Sequence, residues 1–101
     1  MKKIRILLAD DHTILRNGIR ALLADEPDLE VVAEAEDGRA AVSLACQHEP
    51  DVAVIDIAMP LLNGLEATRQ IKRQCPRVRV LILSMHDNEE YIRQVLEAGA
   101  M

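Results

Sequence analysis

The sequence predicts an α/β fold in which a parallel sheet carries helices on both faces. Two observations support this class: four apolar segments alternate strictly with amphipathic segments, and each apolar segment is nearly continuous. Strict alternation of strands and helices is typical of a parallel sheet. Continuous apolar strands are typical of a sheet that is covered on both sides. The 101 residues are enough for one domain with one hydrophobic core.

The predicted strands begin and end where polar or turn-forming residues interrupt the apolar segments. The first follows the N-terminal lysines, the second is the short segment VVAEA and the third is DVAVID. The fourth, VRVLILS, is the most continuously apolar. These strands span residues 3–9, 31–35, 51–56 and 78–84.

The intervening segments predict helices because their apolar residues recur every three or four positions. In the first helix these residues are Leu15, Ile19, Leu22 and Leu23. Asp37 and Gly38 open the second helix, and Pro50 and Pro76 follow the ends of the second and third. The predicted helices span residues 13–25, 39–48, 65–74 and 88–98.

Composition argues against several classes of function. A formal net charge of −5 is unfavourable for a nucleic-acid surface on this chain, because phosphate binding needs clustered Lys and Arg. Tyr91 is the only aromatic residue, so the sequence cannot form a platform for stacking bases. The apolar segments are too short to cross a bilayer, and we expect a cytoplasmic protein without membrane contact. Cys46 and Cys75 lack metal-binding spacing and are predicted to be buried or inert thiols.

Acidic and hydroxyl side chains stand at the carboxyl ends of three predicted strands. The first strand ends at Asp10 and Asp11, the third at Asp56, and the fourth at Ser84. In an open parallel sheet, ligands bind beyond the carboxyl ends of the strands, where the strand order reverses. If the first and third strands are neighbours, the three carboxylates converge there.

Three converging carboxylates repel one another, which favours a bound divalent cation. Oxygen ligands alone suit Mg²⁺, which often works with phosphate groups. Phosphoryl transfer is the compatible chemistry, with an Asp as nucleophile. The alternative for Asp10 or Asp11 taken singly is a helix cap or turn residue. Asp56 is harder to explain in that way, because the residues directly after it do not have a helical pattern.

Three motifs resemble the receiver domain of bacterial two-component response regulators, in wording closest to the NarL/FixJ-type subfamily. They are LLADDH at 7–12, DVAVIDIAMPLLNGLEATRQIK at 51–72 and VLILSMHDNEEYIRQVLEAGA at 80–100. The resemblance implies a flavodoxin-like, doubly wound sheet with strand order 2-1-3-4. It also implies a receiver domain over 1–101 that is truncated, since the family's fifth strand, with its lysine, and fifth helix would lie beyond Met101.

The resemblance assigns roles to the residues at the strand ends. Asp56 would be the phosphoacceptor, and Asp11 would bind Mg²⁺ directly, together with Asp56 and the backbone carbonyl of Ala58. Asp10 would act on the metal largely through a water molecule, and Mn²⁺ is an alternative to Mg²⁺. Ser84 would hydrogen-bond the phosphoryl oxygen and draw its loop inward as the switching step.

Other residues are assigned to the loops around this site. By resemblance, Met59 and Pro60 shape the loop after the nucleophile, and Gly64 shapes its return into the third helix. His86 is a candidate accessory residue, because it lies in the loop after the fourth strand. His12 could touch the site, but the favoured interpretation is a surface residue at the start of a helix.

The resemblance also implies partners. A sensor histidine kinase would supply the phosphoryl group, and a LuxR-type DNA-binding domain absent from this chain would bind DNA. The chain would catalyse transfer to its own aspartate and slow autodephosphorylation, and would not be a turnover enzyme. The bare apolar sheet face expected after truncation predicts a homodimer or a domain-swapped oligomer.

The sequence argues against two alternatives and leaves a third one open. An aspartyl-phosphate phosphatase would resemble a DxD pattern, but position 58 is Ala. A flavodoxin-like FMN binder would need a Ser/Thr/Gly-rich phosphate loop and aromatic residues, both of which are lacking. A degenerate receiver that only binds partners is the third alternative.

Overall fold

The computed structural model of the chain describes residues 3–56 and 62–83. Within these residues four strands alternate with three helices, as the sequence predicts. The predicted helix at 88–98 lies outside the described residues. The elements are β1 (Ile4–Ala9), α1 (Thr13–Ala24), β2 (Leu29–Ala35), α2 (Gly38–His48), β3 (Val52–Asp56), α3 (Gly64–Gln74) and β4 (Arg79–Leu83).

The four strands form one parallel sheet in the order β2-β1-β3-β4. This order confirms the one that the family resemblance implies. The chain moves from β1 outward to β2 and then crosses back to β3 on the other side of β1. The carboxyl ends of β1 and β3 are therefore neighbours at the point where the direction of winding reverses.

The order of the strands also places the helices. Crossovers between parallel strands are almost always right-handed, so connections running in opposite directions lie on opposite faces of a sheet. The connection through α1 runs from β1 to β2, whereas those through α2 and α3 run the other way. Among the described helices, α1 therefore covers one face alone, and α2 and α3 share the other.

The main hydrophobic core lies between the sheet and the pair α2 and α3. It is built from alternate residues of each strand, because successive side chains point to opposite faces. Leu7, Ile55 and Val80 point into this core from the sheet, and Ile71 fills it from α3. Small residues of α2, among them Ala41 and Ala45, are fully buried there and allow a close approach between helix and sheet.

On the face covered by α1, the burial of apolar side chains is less complete in the described part of the chain. Ile6 and Leu8 are buried there, but Leu81 of β4 is 46% exposed. Two apolar residues of α1 are still more exposed, Ile14 at 89% and Leu22 at 73%. The helical periodicity of α1 is confirmed, but its apolar stripe is only partly buried, and the side chain that α1 buries is Arg16.

Side chains cap two of the three helices. Asp37 accepts a hydrogen bond from the backbone N–H of Ala40 at 2.8 Å, which supports its predicted place at the start of α2. At the start of α3, the side chain of Asn63 accepts a hydrogen bond from the backbone N–H of Glu66 at 2.9 Å. Such caps satisfy backbone N–H groups that have no partner within a helix. None of the helices in the described ranges is long and apolar enough to cross a membrane.

Candidate functional site

The pairing of β1 with β3 brings two acidic residues side by side at the edge of the sheet. Ala9 is opposite Ile55 in this pairing, and Asp10 and Asp56 are the residues that follow. The backbone N–H of Asp10 also donates to the carbonyl oxygen of Ala35 at 3.0 Å, which ties the end of β1 to β2. The predicted convergence of the strand ends is therefore present in the fold.

The site contains three carboxylates and one imidazole. Asp10, Asp11, His12 and Asp56 each offer a ligand atom, and these atoms all lie within 4.8 Å of one another. Asp10 is 1% exposed and Asp56 is 8% exposed, whereas Asp11 and His12 lie nearer to solvent. Burial of carboxylates at this spacing is costly without compensating charge, because each remains in the field of the others.

The two oxygens of Asp10 have different surroundings. Oδ1 accepts a hydrogen bond from the backbone N–H of His12 at 2.7 Å, which is the turn-forming contact expected of an Asp at a strand end. Oδ2 is buried and has no hydrogen-bond partner among the described residues. The role of a turn residue therefore accounts for Oδ1 of Asp10. The role of a metal ligand accounts for Oδ2 of the same carboxylate.

His12 contacts the carboxylates directly. Its Nδ1 lies 3.0 Å from Asp10 Oδ1, 3.1 Å from Asp11 Oδ1 and 3.8 Å from Asp56 Oδ2. The hydrogen bond to Asp10 and the negative charge of Asp11 raise the pKa of His12 above its ordinary value. His12 is exposed at the N-cap position of α1, as the favoured interpretation predicts, but its side chain makes no capping hydrogen bond. Its contact with the site is the interpretation that the sequence made less favoured.

Arg16 supports the site from the first turn of α1, and sequence reasoning did not identify it. Its Nη1 donates to the backbone carbonyl of Asp10 at 2.6 Å. The rest of the guanidinium pairs with two acidic residues, through Nε to Glu34 at 3.1 Å and through Nη2 to Glu36 at 3.3 Å. The available signal was one arginine beside the apolar stripe of an amphipathic helix, which is too common to interpret alone.

The donor set fits a hard divalent cation. Asp10, Asp11 and Asp56 supply carboxylate oxygens, and the buried Oδ2 of Asp10 is an orphaned acceptor of the kind that a cation satisfies. The only nitrogen ligand in the cluster is His12, and no cysteine belongs to it, which does not match the ligands typical of structural zinc sites.

Several predicted site residues lie outside the described residues. These are Ala58, Met59, Pro60, Ser84 and His86. Gly64 is described and is the first residue of α3, where its carbonyl accepts a hydrogen bond from Thr68 Oγ1 at 2.7 Å. Its predicted role in shaping the loop before the third helix stays a prediction, because residues 57–61 lie outside the described residues.

Comparisons with known proteins agree with this geometry. The model of the response regulator receiver domain family matches residues 6–101. The transcriptional regulatory protein DegU of Brevibacillus brevis is 50% identical over 98 residues, which are 97% of this chain and 42% of DegU. The chain thus spans less than half the length of that relative.

Two solved structures are also similar. The signal receiver domain of the putative response regulator NarL from Mycobacterium tuberculosis matches with a TM-score of 0.95 and 36% identity, covering 99% of this chain and 81% of that one. A LuxR-family two-component response regulator from Aurantimonas sp. SI85-9A1 matches with a TM-score of 0.92 and 40% identity, covering 98% and 71%. With the family match over nearly its whole length, the chain belongs to the response regulator receiver domain family, in agreement with the predicted NarL/FixJ-type subfamily.

Proposed function

We propose that Asp56 is the phosphoacceptor of this receiver domain and that its phosphorylation depends on Mg²⁺. The observation that carries the proposal is the cluster of the buried Asp10 and Asp56 with the more exposed Asp11 at the carboxyl ends of two neighbouring strands. Asp56 ends β3, so the backbone on its N-terminal side is fixed by the sheet. A carboxylate held in this way can be aimed at an incoming phosphorus atom.

In the proposed reaction a carboxylate oxygen of Asp56 attacks the phosphorus of a phosphohistidine. The new O–P bond gives an acyl phosphate, and the P–N bond breaks to return the imidazole to the kinase. Asp10 and Asp11, with the backbone carbonyl of Ala58, complete the proposed metal site. A bound Mg²⁺ would neutralise charge on the transferring group, and Mn²⁺ would serve as an alternative.

The remaining roles follow the family. Ser84 is proposed to hydrogen-bond the phosphoryl group and move its loop, with His86 as an accessory group and Met59 and Pro60 shaping the loop after Asp56. The phosphodonor is a sensor histidine kinase, and the output is a LuxR-type DNA-binding domain outside this chain. Catalysis is limited to the chain's own phosphorylation and a slow autodephosphorylation.

The test is to incubate the chain with Mg²⁺ and phosphoramidate and to follow its intact mass. We expect the mass of one added phosphoryl group, which is lost in Asp56→Asn and in a reaction without Mg²⁺. Asp51→Asn is the matched control, because Asp51 precedes the other end of β3 and is exposed. No mass gain would contradict the proposal and favour a receiver that only binds partners, and a gain that persists in Asp56→Asn would assign the phosphoryl group to another residue.

We also propose that the chain associates with a second copy of itself. Ile14 and Leu22 of α1 and Leu81 of β4 are exposed apolar residues on the side of the sheet that α1 covers. Exposed apolar residues that gather into one patch commonly mark an interaction site. Sedimentation velocity should show a dimer that weakens in Leu22→Glu, and a well-folded monomer at high concentration would count against association.

A further inference from the structure

The two cysteines of the chain lie in contact, although they are 29 positions apart in sequence. Cys46 belongs to the last two turns of α2, and Cys75 is the C-cap residue of α3. Their sulfur atoms are 2.9 Å apart, and both cysteines are free thiols. The pair lies at the far ends of these helices, away from the carboxylates at the carboxyl ends of the strands.

The backbone holds this contact in place. The N–H of Cys75 donates to the carbonyl of Ile71 at 2.7 Å, and its carbonyl accepts from the N–H of Val78 at 3.1 Å. Cys46 precedes the end of α2 and lies against Gln74, whose Oε1 is 3.7 Å from the Cys46 sulfur. A disulfide has a sulfur–sulfur bond of about 2.05 Å, so closure needs an approach of roughly 0.9 Å.

The two thiols differ in accessibility. Cys46 is half-buried, whereas Cys75 is buried. Burial and the hydrogen bond to Cys46 raise the pKa of Cys75 to about 12. The greater exposure of Cys46 and the raised pKa of Cys75 both make Cys46 the first thiol to react, and the contact between the sulfur atoms places Cys75 to attack Cys46 afterwards.

We propose that Cys46 and Cys75 form a reversible intramolecular disulfide that joins the end of α2 to the end of α3. This modification site is independent of the phosphoacceptor site. Two thiols in contact, without a third metal-ligating side chain grouped with them in the described residues, suit thiol–disulfide exchange better than metal binding.

The oxidant is a low-molecular-weight disulfide, for which oxidised glutathione is the probe. The Cys46 thiolate attacks one sulfur of the probe, forming a mixed disulfide and releasing one glutathione. Cys75 then loses its proton to water and attacks the Cys46 sulfur, which releases the second glutathione. Two protein thiols lose two electrons and two protons in total, and one glutathione disulfide is reduced to two thiols.

The test is to equilibrate the whole chain with mixtures of reduced and oxidised glutathione and to measure intact mass and non-reducing peptide maps. We expect the monomer to lose about two mass units and to yield a peptide that links Cys46 to Cys75. The oxidised chain should have a melting temperature higher by on the order of 10 °C, because the cross-link closes a loop of moderate length.

Cys75→Ala and Cys46→Ala are the matched variants, each checked by circular dichroism. In Cys75→Ala the reaction should stop at a glutathione adduct on Cys46. Reversing this adduct should need about tenfold less reduced glutathione than reversing the disulfide of the wild-type chain. Cys46→Ala should remain largely unmodified, because Cys75 is buried. Stable adducts without a cross-link in the wild-type chain, cross-links only between molecules, or no reaction at all would each overturn the proposal.

Discussion

The guanidinium of Arg16 lies against the backbone of Asp10, with its Nη1 donating to the Asp10 carbonyl at 2.6 Å. The contact links the first turn of α1 to the turn that carries two of the three clustered carboxylates. A charged donor to a buried carbonyl is one of the stronger hydrogen bonds in proteins. Arg16 therefore stabilises the fold and fixes the position of the acidic turn.

Arg16→Ala should lower the free energy of unfolding by about 3 kcal/mol, since it leaves the buried carbonyl of Asp10 without its partner and removes one of the two arginines that pair with Glu34. Urea denaturation checks this value. Arg20→Ala is the matched control, because Arg20 also pairs with Glu34, at 3.0 Å, but is exposed. Arg20→Ala should lower the free energy of unfolding by less than about 1 kcal/mol. Equal losses in the two variants would show that Arg16 acts only as a surface ion pair.

Asp10→Asn should stabilise the chain in the absence of metal, by about 1–2 kcal/mol, because it removes one charge from a buried cluster. The same substitution should abolish the stabilisation that Mg²⁺ gives to the wild type by binding the folded state. Thermal unfolding with and without Mg²⁺ measures both effects. Asp25→Asn, at the exposed C-cap of α1, should behave like the wild type. A variant that keeps the full Mg²⁺ response would remove Asp10 from the metal site.

His12→Ala should strengthen Mg²⁺ binding, because the imidazole occupies the same carboxylate oxygens that a cation would use. The change should be about two- to fivefold in the dissociation constant, in line with the modest strength of exposed charged contacts. Calorimetric titration with Mg²⁺ measures it. His48→Ala, at the end of α2, is the control and should leave the affinity unchanged. Weaker Mg²⁺ binding in His12→Ala would instead make the imidazole a ligand.

The strand pattern predicts the sheet because parallel strands covered on both faces must be apolar along their whole length. The convergence of Asp10, Asp11 and Asp56 follows from their places at the strand ends, which any parallel sheet brings to one edge. The strand order was predicted only from the family resemblance, since periodicity does not indicate which strands are neighbours. The predicted roles of Ser84 and Ala58 stay predictions, since both residues lie outside the described part of the chain.

The sequence pattern did not predict the contacts between elements that are far apart in the chain. The acidic partners of Arg16, Glu34 on β2 and Glu36 just after it, are 18 and 20 positions away, and nothing local to α1 predicts them. Cys46 and Cys75 meet only because α2 and α3 pack side by side on one face. Periodicity predicts which face of a helix is buried. It does not predict which residues of two packed helices lie opposite each other.

The raised pKa of Cys75 predicts a loss of stability in alkali. The thiol titrates near 9 when exposed and at about 12 in the folded chain, so the folded state binds the proton more tightly. This contribution to stability is complete below pH 9 and declines as the pH rises from 9 towards 12. Urea denaturation of the reduced chain at pH 8 and pH 10 should show a larger decrease for the wild type than for Cys75→Ala. Equal decreases would mean that the thiol titrates alike in both states.

Gly38, the first residue of α2, permits a close approach between α2 and Leu62. A Cβ on Gly38 would overlap the backbone carbonyl oxygen of Leu62 and lie 2.6 Å from the Leu62 Cβ. The first of these is a backbone atom, which cannot move away as the end of a flexible side chain can. Gly38→Ala should therefore lower the free energy of unfolding by about 1–3 kcal/mol, the usual range for overpacking.

Gly18 provides the matched control, because it lies inside α1 and a Cβ there would meet nothing within 4 Å. Gly18→Ala should stabilise the chain by about 0.5–1 kcal/mol through its higher helix propensity. The two alanine variants should thus shift the urea midpoint in opposite directions. Leu62 lies six positions after Asp56 in the chain, so displacing it should also slow phosphorylation by phosphoramidate. A Gly38→Ala variant as stable as the wild type would mean that Leu62 moves away from α2 at little cost.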